Sequence, residues 1–521
     1  MIKNFKWLLL VSLSFVACNS SDDSSVIEEP ASSGSANLAK YVALGDSFAA
    51  GYSDGALFKK GQEGSYVNIL AQQFVEAGGG TFKTPYTSDN LGGLLLGGNV
   101  IAGTRLYFNG TAPVPVSGIP TTEASTILTG PFNNLGVPGA KSYHLVAPGY
   151  GNVAGVAIGA ANPYFARFAS APNTTVLADA LTQQPTFFSL WIGGNDVLGY
   201  ATSGGIGVNQ TGNFNPATYG ANDITDPDVF ASVYSGLVTN LTSNGAKGVV
   251  ANLPYVSTLP YFTTVPYNPL SVKVLGSGNE LVGQGTIAAL NTQLYGPLHN
   301  ALAYLGQGSR IALLSPTAAN PMLIKDESLT NLSSSLTQVL IGGGLDAPTA
   351  GLLGAVFGQV RQTTATDLVL LPTQSVIGTA PTDVTSGLGF APPYPLNKFG
   401  ITFPLQDKHV LIPTEIAEVK TATDAYNVTI KALADAKGLA FVDTKAIMTQ
   451  LSTTGVVSNS FTLTTTYVTG GAFSLDGVHP SPRGYGLIAN AFITAINTKY
   501  TATLKKVDLG LYPILYPASL Q

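Results

Sequence analysis

A parallel α/β sheet with helices on both faces is the fold class predicted for this 521-residue chain. Two observations predict it. Short, continuous apolar runs bounded by turn residues recur along the sequence, as strands buried on both faces require. Stripes of apolar residues at helical spacing separate several of them, and such alternation builds parallel sheets.

The first strand is Tyr41-Val42-Ala43-Leu44, running directly into Gly45-Asp46-Ser47. Tyr66, Leu70 and Phe74, spaced by four, predict the helix that follows, which closes at Gly78-Gly79-Gly80. Further strands are expected at residues 187–192, 248–253, 310–314 and 439–442, all of them apolar runs. One helical stripe is Leu290, Leu294, Leu298, Leu302 and Leu305; another is Ile416, Val419, Tyr426, Ile430 and Leu433. The last helix starts at Ser481-Pro482, an N-cap with proline at the first helical position, and lines one face with Tyr485, Ile488, Phe492 and Ile496. Two regions break the alternation, at about residues 78–131 and 316–405, and read as insertions.

Composition narrows the function. Charged residues make up 10% of the chain, against roughly a quarter in ordinary soluble domains. A net charge of −5 supplies no basic surface for phosphates, so nucleic acid is not an expected partner. Four histidines exclude a histidine-rich metal array, and no cofactor or metal is expected.

Residues 1–17 read as a signal peptide: Lys3 and Lys6 precede an apolar run from Trp7 to Ala17, too short for a bilayer span, which takes about 20 residues. Cys18 is the only cysteine, so an intrachain disulfide is excluded. Small residues before a lone cysteine resemble a bacterial lipobox. That resemblance implies lipidation of Cys18, anchorage to a cell-envelope membrane and an outer-membrane location, with Phe15 standing where leucine is commoner. Residues 18–38 read as a flexible tether. Its acidic pair Asp22-Asp23 resembles surface-export signals and equally suits a solvated linker, so surface exposure stays open. Residues 39–500 are then one domain carrying the two insertions, and 501–521 an extension whose apolar residues pack against it.

Four short blocks carry the chemistry. Ser47 stands at the C-terminal end of the first strand, where α/β sheets present their sites; it can act as a nucleophile if a base activates it. Taken alone, Gly45-Asp46-Ser47 reads as an ordinary strand-to-helix turn with Ser47 as N-cap. Asp476 precedes His479 by three positions, so in a compact turn the carboxylate can orient one imidazole nitrogen and leave the other free as a base. Gly139, in Gly136-Val137-Pro138-Gly139, and Asn195, in Gly193-Gly194-Asn195-Asp196, can join the Ser47 N–H as donors to an oxyanion.

In that order the four blocks resemble the GDSL or SGNH hydrolase family. The resemblance implies a flavodoxin-like three-layer α/β/α sandwich around about five mostly parallel strands. It also implies Ser47 as nucleophile, His479 as base with Asp476 behind it, and Ser47, Gly139 and Asn195 as the oxyanion hole. The expected activity is hydrolysis of carboxylic esters, with a small-molecule or lipid ester as substrate. A carbohydrate O-acetyl esterase and a non-catalytic surface-binding lipoprotein are the alternatives. The insertions would wall the serine, and the apolar stretch Leu340 to Val360 either meets acyl chains or packs on the core. His144 is a further candidate for lining the pocket, whereas His299 and His409 read as structural. Acyl specificity and oligomeric state stay open.

Overall fold

The computed structural model describes residues 30–459 and 461–520, so Cys18 and the signal peptide lie outside the described residues. Five strands form the central sheet: β1 (Tyr41–Gly45), β2 (Asn134–Gly136), β3 (Phe187–Trp191), β4 (Lys247–Ala251) and β5 (Ala440–Val442). They lie in the order β5-β4-β3-β1-β2, and every neighbouring pair is parallel. Leu44 of β1 stands level with Leu135 of β2 on one side and Leu190 of β3 on the other. Apart from Lys247 at the start of β4, every residue of β1, β3 and β4 is buried, which is why these strands read as unbroken apolar runs.

The chain leaves β1 toward β2 and then returns past β1 to β3, so the strand order reverses between β1 and β3. In open parallel sheets that reversal leaves a crevice at the carboxyl ends of the strands, where ligands bind. The helices around the sheet include α1 (Tyr66–Val75), α2 (Val176–Thr182), α3 (Asn195–Thr202), α4 (Pro227–Thr242), α5 (Pro413–Ala436), α6 (Thr444–Thr453) and α7 (Pro482–Tyr500). α7 packs on α1, β4 and β5, while α5 packs on α3, α4, β4 and β5. Ser481 caps α7 by accepting the Gly484 N–H at 3.0 Å. The strand β2 and helices α2, α3, α4 and α6 are additions to the elements read from sequence.

A second hydrophobic core gathers residues between Val265 and Ile412, separate from the core around the sheet. It corrects two expectations and decides between the two readings of a third segment. Residues 310–314 form no strand: Ile311 and Leu314 turn into this second core while Leu313 is exposed. The leucine stripe from Leu290 to Leu302 also packs here, its helix broken by a π-helical turn at Asn291–Tyr295, so the inserted region begins well before residue 316. Finally, the apolar stretch from Leu340 to Val360 supplies the helix Ala347–Phe357, which packs on Ser333–Gly342 with Leu340, Ala350, Phe357 and Val360 buried.

The other insertion holds two antiparallel hairpins, Leu94–Leu96 with Asn99–Ala102 and Leu106–Phe108 with Pro113–Pro115. Arg105 between them is fully buried and donates to the carbonyls of Pro517 and Ala518, at 2.7 and 2.9 Å, fastening the C-terminal segment. The expectation of a free tether through residue 38 is also corrected. Ala36 and Leu38 are buried, and the Ser35 N–H donates to the Tyr500 carbonyl at the end of α7. No helix among the described residues is long and apolar enough to cross a membrane.

Candidate functional site

β1 ends at Gly45 and the chain enters a single helical turn, Ser47–Ala50. Its N-cap is Asp46, whose carboxylate accepts the Phe48 N–H at 3.0 Å, so Ser47 is the first helical residue and its side chain is left free for another partner. The Ser47 N–H heads the turn, where backbone donors lack intrahelical acceptors. Burial pushes the Asp46 carboxyl up to about 7.

The partner of Ser47 comes from the far end of the chain. His479 Nε2 lies 2.8 Å from Ser47 Oγ, and His479 Nδ1 lies 2.9 Å from Asp476 Oδ2. Burial alone would raise the Asp476 carboxyl, but the His479 charge and hydrogen bonds from His479 and Val478 outweigh it and hold it at about 2. An ionised carboxylate only accepts, so the Nδ1 position carries the proton and Nε2 offers its lone pair to the Ser47 hydroxyl. The rings of Tyr52 and Phe48 flank the imidazole, with centroids 4.6 and 5.5 Å away.

The loop that carries Asp476 and His479 is fastened by a tripeptide outside the four sequence blocks, Ser53-Asp54-Gly55. Gly55 N–H donates to Asp476 Oδ2 at 2.9 Å, Asp54 N–H to Ser474 Oγ at 3.0 Å, and Ser53 Oγ to the Pro480 carbonyl at 3.1 Å. Asp54 Oδ1 accepts the Leu475 N–H, while Asp54 Oδ2 is buried with no hydrogen-bond partner among the described residues. Burial pushes the Asp54 carboxyl up to about 7. The one local signal is the Asp-Gly pair: Asp54 has φ 52°, a left-handed conformation in which aspartate is enriched. On its other side the loop meets Tyr261, which packs against the core around the sheet. Gly477 accepts the Tyr261 N–H at 3.0 Å, and a Cβ there would stand 2.9 Å from the Tyr261 nitrogen.

Gly139 and Asn195 follow β2 and β3, the strands on either side of β1. Gly139 is exposed with φ 79° and open space where a side chain would begin. Asn195 opens α3 and donates one amide N–H to the Ala140 carbonyl at 3.0 Å, leaving its second N–H for a ligand. A second clamp joins the same two loops and is not legible in sequence: Asp196, fully buried, accepts from the Ser142 N–H at 2.8 Å and the Ser142 hydroxyl at 2.7 Å.

A cleft of about 670 Å³ extends from Gly139, lined by Tyr143, His144, Tyr150 and Tyr219 among others. His144 Nδ1 accepts the Lys141 N–H at 3.0 Å and its ring stacks on Tyr150 with centroids 4.3 Å apart. Burial holds the His144 imidazole down at about 4, neutral in this cleft. His299 and His409 lie away from these loops: His299 pairs with the Ile311 carbonyl, and His409 Nδ1 accepts the Gln406 N–H. Elsewhere Glu327, Asp407 and Glu415 bring carboxylate oxygens within 4.8 Å of one another. Burial and the neighbouring carboxylates raise Asp407, to about 7, and Glu415.

Comparison of the chain with family models, with curated proteins and with solved structures finds no match in any of the three.

Proposed function

We propose that the chain is a serine hydrolase of carboxylic esters on an SGNH-type α/β/α sandwich. The observation that carries this reading is the continuous hydrogen-bonded series from Ser47 Oγ through His479 to Asp476, in which the serine stands 429 or more positions from its partners, at the carboxyl ends of parallel strands. The parallel strand order and the helix packing support the same fold.

In this mechanism Ser47 Oγ attacks the ester carbonyl carbon while its proton passes to His479 Nε2. Asp476 keeps its charge and stabilises the imidazolium. The carbonyl oxygen becomes an oxyanion facing the N–H groups of Ser47 and Gly139 and the free amide hydrogen of Asn195; one such preorganised donor is worth about 2.7–4 kcal/mol. Collapse breaks the bond to the alcohol, which leaves with the proton from His479. Water then gives its proton to His479 and attacks the acyl-enzyme, and the carboxylic acid departs as Ser47 recovers its proton.

Ser47→Ala should abolish hydrolysis of small aryl esters with the fold intact, and a fluorophosphonate probe should label the native protein at Ser47 alone. Full activity in Ser47→Ala removes the serine from the mechanism, and absence of labelling favours a binding module. Attachment to a cell-envelope membrane through lipidated Cys18 belongs to the same proposal; loss of fatty-acid incorporation in Cys18→Ser tests it.

A further inference from the structure

We infer that the acyl chain of the substrate occupies a carbon-lined cavity between α6 and α7, and that the site selects acyl groups of roughly four to six carbons beyond the carbonyl. The inference rests on the serine reading above and adds its substrate class.

The cavity lies against the carboxyl ends of β3 and β5, with Trp191, Ile447, Met448, Leu487 and Ala491 on its walls. Two further walls tie it to the candidate site. Phe48 follows Ser47 in sequence, and its ring stands 4.9 Å from Trp191 and 5.5 Å from His479; Pro480 directly follows His479. The nucleophile and the base thus each contribute their next residue to the same apolar surface. No polar surface faces the cavity. A water needs two to four polar partners to be held, so this space suits hydrocarbon. Phe48, Ile447, Leu487 and Ile488 are only half-buried, so the cavity is reached from solvent.

Its size sets the chain length. The volume is about 60 Å³. At roughly 10–15 Å³ per water-sized group, it holds roughly four to six methylene-sized groups. The cleft at Gly139, by contrast, offers polar groups from its tyrosines, His144 and Lys141 beside apolar ones, and suits the alcohol side of the ester. Burying one methylene favours binding enough to raise kcat/KM roughly fourfold.

The test is a series of p-nitrophenyl esters from acetate to dodecanoate on the full chain. Wild type should gain in kcat/KM from acetate to about hexanoate and then level off. Ala491→Phe, which fills the cavity, should lower the hexanoate-to-acetate ratio at least tenfold; Met448→Ala, which enlarges it, should move the optimum to longer chains. Circular dichroism and thermal melts establish that each variant is folded, and Leu487→Trp replaces Ala491→Phe if that one is not. A flat wild-type profile, or a filled variant with the wild-type profile, overturns the acyl assignment while leaving the serine mechanism standing. If no ester is turned over, the rate of Ser47 labelling by fluorophosphonates of ethyl to octyl chain reads the same preference. Labelling independent of chain length overturns the cavity alone, and no labelling overturns the serine reading and the cavity with it.

Discussion

Asp54 accepts the Leu475 N–H at 3.0 Å, joining the loop after the Ser47 turn to the loop that carries Asp476 and His479. Removing that acceptor should loosen the base. Asp54→Ala also places alanine at φ 52°, so a loss of about 1–3 kcal/mol in stability and a fall in kcat larger than any change in KM are expected. Asp54→Asn keeps an acceptor oxygen and tolerates the left-handed conformation, and it should retain most activity.

Wild type and Asp54→Asn should also separate by pH. The Asp54 carboxyl is raised to about 7 in the fold, against about 3.9 in an unfolded chain. Stability from its protonated form is therefore fully present below about pH 4 and is lost as pH rises through 7. The substituted asparagine does not titrate, so Asp54→Asn should gain on wild type by a few kcal/mol, of the order the shift implies, between about pH 5 and pH 8. Chemical denaturation at those two pH values checks it; a constant difference would mean that Asp54 is ionised throughout.

Asp476 runs the opposite way. Its folded carboxyl is held at about 2, so the stability it contributes is present above about pH 3.9 and is lost as pH falls toward 2. Asp476→Asn should shrink the acid dependence of unfolding in that window. Asparagine would also present its amide or its oxygen to the imidazole without fixing the Nδ1 proton, so kcat on aryl esters should drop by roughly 10³–10⁴. Activity within tenfold of wild type would show that Asp476 does not orient the base.

How much of this is legible in sequence follows from distance and length. β1, β3, β4 and β5 are readable because burial on both faces leaves an apolar run in each. β2 has only three residues, one of them glycine, and no run forms. Residues 310–314 resemble a strand because two buried positions flank exposed apolar ones, a pattern that composition alone does not separate from a strand. Ser47, Asp476 and His479 stand out because their chemistry is unusual at such spacing, whereas Asp54 and Asp196 are ordinary residues until the fold supplies partners, Leu475 for one and Ser142 for the other.

The Ser142–Asp196 clamp should hold the Gly139 loop in place. Ser142→Ala leaves one oxygen of a fully buried carboxylate without its hydroxyl donor, which costs about 1–3 kcal/mol. Because the loop bears a proposed oxyanion donor, kcat should fall while KM moves less. Rescue by Ser142→Thr, which restores the hydroxyl, separates this from a general loss of packing.

Arg361 should decide the integrity of the second core. Its guanidinium grips Asp367 with two nitrogens, at 2.6 and 2.7 Å, and Asp326 with a third at 2.5 Å, and both carboxylates are buried. Arg361→Met strands two buried charges, a change that costs about 3–5 kcal/mol when one partner of a buried pair is removed. Lysine cannot reproduce the fork, so Arg361→Lys should recover only part of it. Hydrogen exchange should then quicken at Leu323–Lys325 and Val360–Gln362 while β3 stays protected, since the two cores are separate. Ester hydrolysis should be largely retained, because Tyr261, whose N–H meets the loop at Gly477, packs on the core around the sheet and not on the second one. A fall in turnover that tracks the loosened second core would show that the two cores are coupled.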